Sequence, residues 1–363
     1  MTWETMRLGD VVTLKRGHDL PASERTEGDV PVISSSGITG CHNEAKCKGP
    51  GVVTGRYGTL GGVYFVDEDY WPLNTALYVS DFKGNDARFV AYLLEDVLRD
   101  QQSDKAAVPG VNRNVLHEIR VHRPGKAVQR RITAIVASYD DLIENNRRRM
   151  ALLEEAARQL YREWFVRLRF PGHEHTRIVD GVPPGWERTS LAAVVENYDR
   201  LRVPLSVFER EVRPGRYPYH GAAGVLDYID EYIFDGRFLL VGEDGTVQTS
   251  SGTAMLQFVE GQFWVSNHAH VLQGRAVSTE FLWCALGDYP IAGHVTGVAQ
   301  PKLTQANLNR IPIVVPSRSL LLAFQELAEG LASQRFVLQR QTEKLRAARD
   351  ILLPRLMSGE IPV

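Results

Sequence analysis

KAVQRRITAIVASYDDLIENNRRRMALLEEAARQLYREWFVRLR, Lys126 to Arg169, is the stretch from which the organisation of this 363-residue chain follows. No Pro or Gly interrupts it, and Pro124-Gly125 and Pro171-Gly172 bracket it, so the pattern predicts one long helix. At about 1.5 Å per residue such a helix reaches roughly 65 Å. Residues suited to a seam recur at alternating steps of three and four: Val136, Tyr139, Ile143, Asn146, Met150, Leu153, Ala157, Leu160 and Trp164. This is the heptad signature of a coiled coil, in which a lone polar residue such as Asn146 fixes register. One helix cannot bury its own seam. A second helical run from about Ser319 to Leu353 supplies a partner, with Leu331, Leu338, Leu345 and Leu352 seven apart and Gly330 weakening its start.

Working outward, the segments before the two helices resemble each other. Trp3-Glu4 recurs as Trp186-Glu187, and GRYGT at Gly55–Thr59 recurs as GEDGT at Gly242–Thr246. WPLNTA at Trp71–Ala76 recurs as WVSNHA at Trp264–Ala269. Pro109, Leu116, Ile119 and Pro124 match Pro301, Leu308, Ile311 and Pro316 at a constant offset of 192. Four matches in one order mean a diverged tandem duplication of about 185 residues. Each copy opens with short β-branched and aromatic runs punctuated by Gly and Pro, such as Val30–Ser34 and Phe238–Val241, which read as strands and turns. The expected fold class is α+β. Two mixed β-rich domains, 1–125 and 171–316, are separated by two long antiparallel coiled-coil helices, 126–170 and 317–363, in a pseudo-two-fold internal duplication.

Composition narrows the function. Hydrophobic residues make up 44% and charged residues 24% of the chain, which suits a globular protein with a sizeable core. No apolar run approaches the roughly 18 residues of a membrane span, and the opening MTWETMRLGD has no targeting character. Three cysteines (Cys41, Cys47, Cys284) fit a reducing cytoplasm. Basic against acidic residues number 14 to 17 in 1–125, 10 to 6 in 126–170, 11 to 16 in 171–316 and 7 to 5 in 317–363, so the net charge of −2 hides an acidic, basic, acidic, basic alternation. Gly55, Gly58, Gly61 and Gly62 lack the Lys-Ser/Thr of a phosphate loop. Cys41-His42 with Cys47 has no second ligand pair, and the ten histidines show no metal spacing. No Asn/Asp-Pro-Pro-aromatic strip of an amino-methyltransferase is present either. No catalytic residue, metal site or cofactor is expected.

With the duplication in hand, the chain resembles the specificity subunits of type I restriction–modification systems. The carrying residues are the openings Trp3-Glu4 to Leu8 and Trp186-Glu187 to Leu191, and the Pro183-Pro184-Gly185-Trp186 linker. RRRMALLEEAARQLYREWF (Arg147–Phe165) and LRAARDILLPRLMSGEI (Leu345–Ile361) complete the set. The resemblance implies two target recognition domains reading a bipartite site on double-stranded DNA. It implies two adenine-N6 methyltransferase subunits as partners, restriction and translocase subunits in the full complex, and a cytoplasmic location. Candidate DNA contacts are basic, amide and hydroxyl residues flanking turns: Lys15, Arg16, Ser35, Ser36, Arg56, Tyr57, Lys105, Asn112 and Arg113, then His220, Thr246, Gln248, Lys302, Gln305 and Asn307. Arg and Lys suit guanine or phosphate, and Asn and Gln suit adenine. Trp71, Asn74, Trp264 and Asn267 recur in both copies and read as scaffold. The acidic balance of both domains speaks against strong binding by the chain alone and favours partners that supply phosphate contacts. The competing readings are a coiled-coil structural adaptor carrying two protein-binding domains and an enzyme with an unrecognised site.

Overall fold

The computed structural model describes residues 3–56, 61–103, 112–297 and 300–363. The first copy holds β1 (Trp3–Arg7), α1 (Leu8–Val11), β2 (Thr13–Arg16), β3 (Val30–Ser34), β4 (Gly37–His42), β5 (Gly51–Gly55) and β6 (Val63–Val66). It continues with β7 (Trp71–Pro72), β8 (Ala76–Asp81), α2 (Ala87–Ser103), α3 (Arg113–Glu118), β9 (Arg120–Pro124) and α4 (Lys126–Tyr161). The second copy holds β10 (Glu187–Ser190), α5 (Leu191–Val194), β11 (Val195–Asn197), α6 (Val207–Glu211), β12 (Pro214–His220), β13 (Val225–Ile229) and β14 (Phe234–Gly242). Then come β15 (Leu256–Val265), β16 (Ala269–Gly274), α7 (Thr279–Gly287), α8 (Gln305–Asn309), β17 (Pro312–Val315) and α9 (Arg318–Met357).

These elements form two compact units, Met1–Asn145 with Thr342–Val363, and Asn146–Gln341. The division cuts through both long helices. Each unit therefore contains the first turns of the helix that follows its own domain and the last turns of the helix from the other copy.

In the first unit the main sheet runs β2-β8-β5-β6, a smaller sheet runs β4-β3-β7, and β1 pairs with β9. The main core is built from Leu8 and Val11 of α1, Leu14, Val52, and Phe89, Val90 and Leu94 of α2. Val128, Ile132 and Val136 of α4 join it, as do Leu353, Leu356 and Met357 of α9. A buried amide network ties α4 to the domain. Gln129 Nε2 donates to Asn85 Oδ1 (2.8 Å) and the Pro124 carbonyl (2.9 Å), its Oε1 accepts from the Asp86 amide (3.0 Å), and Asn85 donates to the Val11 carbonyl (2.9 Å). Every polar end of Gln129 is thus used, as burial requires.

In the second unit the sheet order is β11-β16-β14-β15-β12-β13, and β10 pairs with β17. Leu191 and Val194 of α5, Phe281 and Leu282 of α7, and Leu321, Phe324 and Ala328 of α9 share one core with Ala157 and Phe165. Tyr161 and Trp164 pack against it. The strand order β2-β8-β5-β6 is repeated as β11-β16-β14-β15. Gly55 faces Ala76 as Gly242 faces Ala269, and the parallel contact of Val32 with Trp71 returns as Tyr219 with Trp264. Trp71 and Trp264 are both buried. Tyr161, Trp164 and Phe165 stand 192 residues before Leu353, Leu356 and Met357, so the two helix ends do the same job in the two units. The duplication seen in the sequence is a duplication of fold.

The helices depart from expectation at their ends. α4 stops at Tyr161, a single π turn follows at Arg162–Val166, and Leu168 at φ 58° turns the chain away. α9 instead runs through both Gly330 and Pro354. Pro354 cannot donate to the Asp350 carbonyl four residues back, and Arg99 Nη1 donates to that carbonyl instead at 3.1 Å. Among the expected seam positions Val136, Ile143, Asn146 and Leu338 are buried, whereas Met150, Leu153, Leu331, Leu345 and Leu352 are half-buried. A second heptad series on α9, Ala328, Arg335, Thr342, Arg349 and Leu356, is equally shielded and largely polar. In the first unit Arg349 forks onto Glu95 (2.8 and 2.5 Å), and its Nε lies 2.7 Å from Asp140 of α4. In the second, Arg335 Nε donates to Glu154 of α4 at 2.7 Å.

Candidate nucleic-acid interface

At one end of the second unit's sheet three turns are laced together. They are the GEDGT turn after β14, the Ser266–His268 turn between β15 and β16, and the segment Gln300–Thr304 before α8. The Glu243 amide donates to the His268 carbonyl (2.8 Å), the Gly245 amide to Pro301 (3.1 Å) and the Leu303 amide to Glu243 (2.8 Å). Gln300 Nε2 adds a bond to Asp244 Oδ1 at 2.9 Å.

Beneath the turns lies a largely shielded charge cluster around the buried His270. Arg202 Nη1 donates to Glu243 Oε2 (2.7 Å) and the Ala269 carbonyl (2.7 Å), and its Nη2 is 3.6 Å from Asp199. His270 bonds Asp199 through Nδ1 (2.6 Å) and the Leu303 carbonyl through Nε2 (2.8 Å). Burial would push the Asp199 carboxyl up, but His270, the Val271 amide and Arg202 together hold it below its ordinary value. Asp199, Glu243 and His270 offer ligand atoms within 4.8 Å of one another. The set does not suit a metal ion, because the Arg202 guanidinium already supplies the cation and both ring nitrogens of His270 are engaged. Its role is to neutralise buried carboxylates and to fix the turns above it.

The predicted residues distribute unevenly around this geometry. Thr246 and Lys302 lie on the laced rim and are exposed, with Lys302 Nζ 3.6 Å from Glu243. Gln305 opens α8 and is exposed, and half-buried Gln248 bridges to Ala254. Asn307 is turned inward, its amide donating to the His294 carbonyl at 3.0 Å. His220 is buried, bonded to Gln257 at 2.8 Å and set edge-on to Phe263, and burial drives its pKa down.

In the first unit Lys15 and Arg16 sit exposed on the edge strand β2, and Arg16 Nη2 is 3.5 Å from Asp19. Ser35 and Ser36 form the β3–β4 turn, where Ser34 Oγ accepts the Ser36 amide at 3.1 Å. Arg56 is half-buried, with its amide on the Thr75 carbonyl at 3.0 Å. Asn112 caps α3 by accepting the Asn114 amide at 2.9 Å, and exposed Arg113 begins that helix. Tyr57 and Lys105 lie outside the described residues.

Sequence reasoning missed Asp199, Arg202 and His270. One signal was available. At the offset of 183 that joins Trp3 to Trp186, Arg16 and Asp19 correspond to Asp199 and Arg202, the same pair with charges exchanged. Sequence reasoning also read Asn267 as scaffold together with Asn74, and the two differ in their surroundings. The Asn74 amide is held by Asp19, whereas the Asn267 side chain is exposed and makes no hydrogen bond among the described residues.

Comparison with known proteins adds an independent finding. The family model described as the type I restriction modification DNA specificity domain matches residues 1–155 and again 183–319. The chain is similar to a type I restriction enzyme specificity subunit of Methanocaldococcus jannaschii, 26% identical over 294 residues, covering 76% of this chain and 68% of that one. A putative type I specificity subunit of Haemophilus influenzae is 28% identical over 158 residues, 43% of this chain and 40% of its own. Among solved structures, a type I restriction–modification S subunit from M. genitalium shares the fold with a TM-score of 0.61 at 16% identity, over 98% of this chain and 96% of that one. No described helix is long and apolar enough to cross a membrane.

Proposed function

We propose, for a chain that belongs to the type I restriction–modification DNA specificity family, that its two domains read the two halves of a bipartite DNA target, one domain to each half. The chain supplies sequence specificity within its complex and is a recognition subunit rather than a catalytic one. Subunits of this kind bind DNA and work with methyltransferase and restriction subunits. In our reading two adenine-N6 methyltransferase subunits take their places on the target through this chain, restriction subunits join in the full complex, and the assembly works in the cytoplasm.

One observation carries the bipartite reading: a single sheet scaffold is used twice, with different chemistry on its rims. Arg16 and Asp19 stand exposed in one domain, while Asp199 and Arg202 are largely shielded in the other. Unlike rims imply unlike half-sites. The ion pairs of the long helices support an antiparallel seam that sets the spacing of the half-sites. Asp140 pairs with Arg349 in the first unit and Glu154 with Arg335 in the second, so a step of 14 residues forward on α4 matches a step of 14 backward on α9. The acidic balance of both domains is in keeping with partners that carry the phosphate contacts. Modified-base sequencing of cells carrying the chain and its methyltransferase tests the reading. The expected outcome is methylated adenine in a split motif with two different halves, and a palindromic motif would contradict it.

A further inference from the structure

We propose that the laced rim of the second domain is its base-reading surface, with the Asn267 amide contacting an adenine in double-stranded DNA and Lys302 contacting the phosphate backbone. The inference rests on the specificity reading above and deepens it by naming residues.

Three features lead to Asn267. First, it is exposed at the apex of the Ser266–His268 turn, beside the exposed Thr246 and His268. Second, its side chain is released by a change elsewhere in the repeat. In the first domain Asp19 ties down the equivalent Asn74. In the second, Arg202 replaces that aspartate and turns its guanidinium to Glu243 and the Ala269 carbonyl, touching only the backbone carbonyl of Asn267 at 3.5 Å. Among the described residues the amide is left with both a donor and an acceptor unspent. An amide of this kind matches adenine, which offers N6–H as donor and N7 as acceptor in the major groove. Third, the turn that carries it is held at both ends, by the Ser266 amide on the His220 carbonyl (2.9 Å) and by the Glu243 amide on the His268 carbonyl (2.8 Å), and it is closed by His268 N on Ser266 Oγ at 3.2 Å. A reading group on a fixed turn loses little entropy on binding.

The cluster below removes the main objection to DNA at this place. Glu243 and Asp199 would repel phosphates if free, but Arg202 and Lys302 neutralise them, and His270 hydrogen-bonds Asp199. Asp244 accepts Gln300, and the exposed part of Lys302 leaves its ammonium within reach of a backbone phosphate.

The test uses the full chain with its methyltransferase, read by modified-base sequencing and by DNA binding at two salt concentrations. Asn267→Ala should cost roughly ten- to a hundredfold in discrimination at one A·T position of one half-site, with the other half unchanged. Lys302→Ala should weaken binding to all sequences alike and flatten the salt dependence by about one unit of slope. Asn74→Ala in the first domain is the control and should leave the motif unchanged. An Asn267→Ala protein with wild-type melting temperature, an unchanged motif and affinity within twofold overturns the proposal, and a loss at a G·C position overturns the adenine assignment. Exchanging residues 171–316 for the domain of a related chain separates the two levels. A changed half-site there beside an unchanged Asn267→Ala motif sinks only this assignment, whereas no change in either half-site sinks the specificity reading itself.

Discussion

Arg16 with Asp19 in the first domain and Asp199 with Arg202 in the second occupy the same two places in the repeat, yet only the second pair is largely shielded from water. The side chains of Asp199 and Arg202 are 10% and 13% exposed, against 52% and 71% for Arg16 and Asp19. Around the inverted pair other positions have followed. Leu77, which faces Thr54 in the first sheet, corresponds to His270, which faces Val241 in the second. The strand that is broken into β6 and β7 around Asp67–Asp69 in the first unit runs unbroken for ten residues as β15 in the second. The difference teaches that strand order and apolar floor are the retained part of the repeat. The end of the sheet, by contrast, can invert its charge provided the buried version gains enough counter-charges and hydrogen bonds.

The most forceful way to break this comparison is to make one copy without the other. A chain of residues 1 to 182 lacks Leu353, Leu356 and Met357, each buried in the first unit's core and each worth about 2 kcal/mol. Tyr161, Trp164 and Phe165 are their counterparts, so two half-chains should supply each other's missing helix ends. The expected product is a homodimer by light scattering that, with methyltransferase, modifies a palindrome of one half-site. A folded monomer would show that the helix ends are not equivalent.

A smaller effect sharpens the contrast between the ion pairs. Arg202→Met leaves Asp199 and Glu243 without their guanidinium and should cost about 3 kcal/mol, since removing one partner of a buried pair strands the other. Arg16→Ala removes only an exposed pair and should cost under about 1 kcal/mol. Urea unfolding of the two variants decides it, and equal costs would mean the inversion carries no difference in burial.

Smallest is a dependence on pH. Burial lowers the His220 pKa below 6.5 in the folded chain, so above pH 6.5 the residue is neutral in both states and costs nothing. As pH falls below 6.5 the unfolded chain binds the proton first, and stability is lost until the folded pKa is passed. Between pH 7.5 and 5.5 the wild type should therefore lose up to about 1 kcal/mol more than His220→Gln. Parallel melting curves for the two proteins would place the imidazole in water instead.

Much of the fold could be read in advance because heptads and repeated motifs are local patterns. The two long helices and the duplication are of this kind. Arg335 and Arg349 escaped because a search for leucines passes over a polar heptad series whose partners, Glu154, Asp140 and Glu95, lie far away in sequence. The end of α9 escaped because Pro354 reads as a stop unless Arg99 is known to satisfy the Asp350 carbonyl. At the rim, residue type suggested Thr246 and Lys302. It suggested Asn112, His220 and Asn307 as readily, although a helix cap, a core contact and the His294 carbonyl engage their polar atoms. The different settings of Asn267 and Asn74 were hidden by the likeness of their motifs, since what separates them is the sign of a charge 65 residues upstream of Asn267, at Arg202.

The division of each helix between two units also sets a timetable. A ribosome adds about 5–20 residues per second, so roughly 10 to 40 seconds separate synthesis of Asn145 from that of Leu353, Leu356 and Met357. Through that interval the first unit has its sheet and the start of α4 but not the segment that completes its core. The part of its core that Leu353, Leu356 and Met357 complete waits in water, open to chaperones, to neighbouring nascent chains on the same message, or to the helix end of another copy. The second unit waits far less, since α9 begins directly after β17 and every other part of its core is already made. The domain translated first is thus the one finished last.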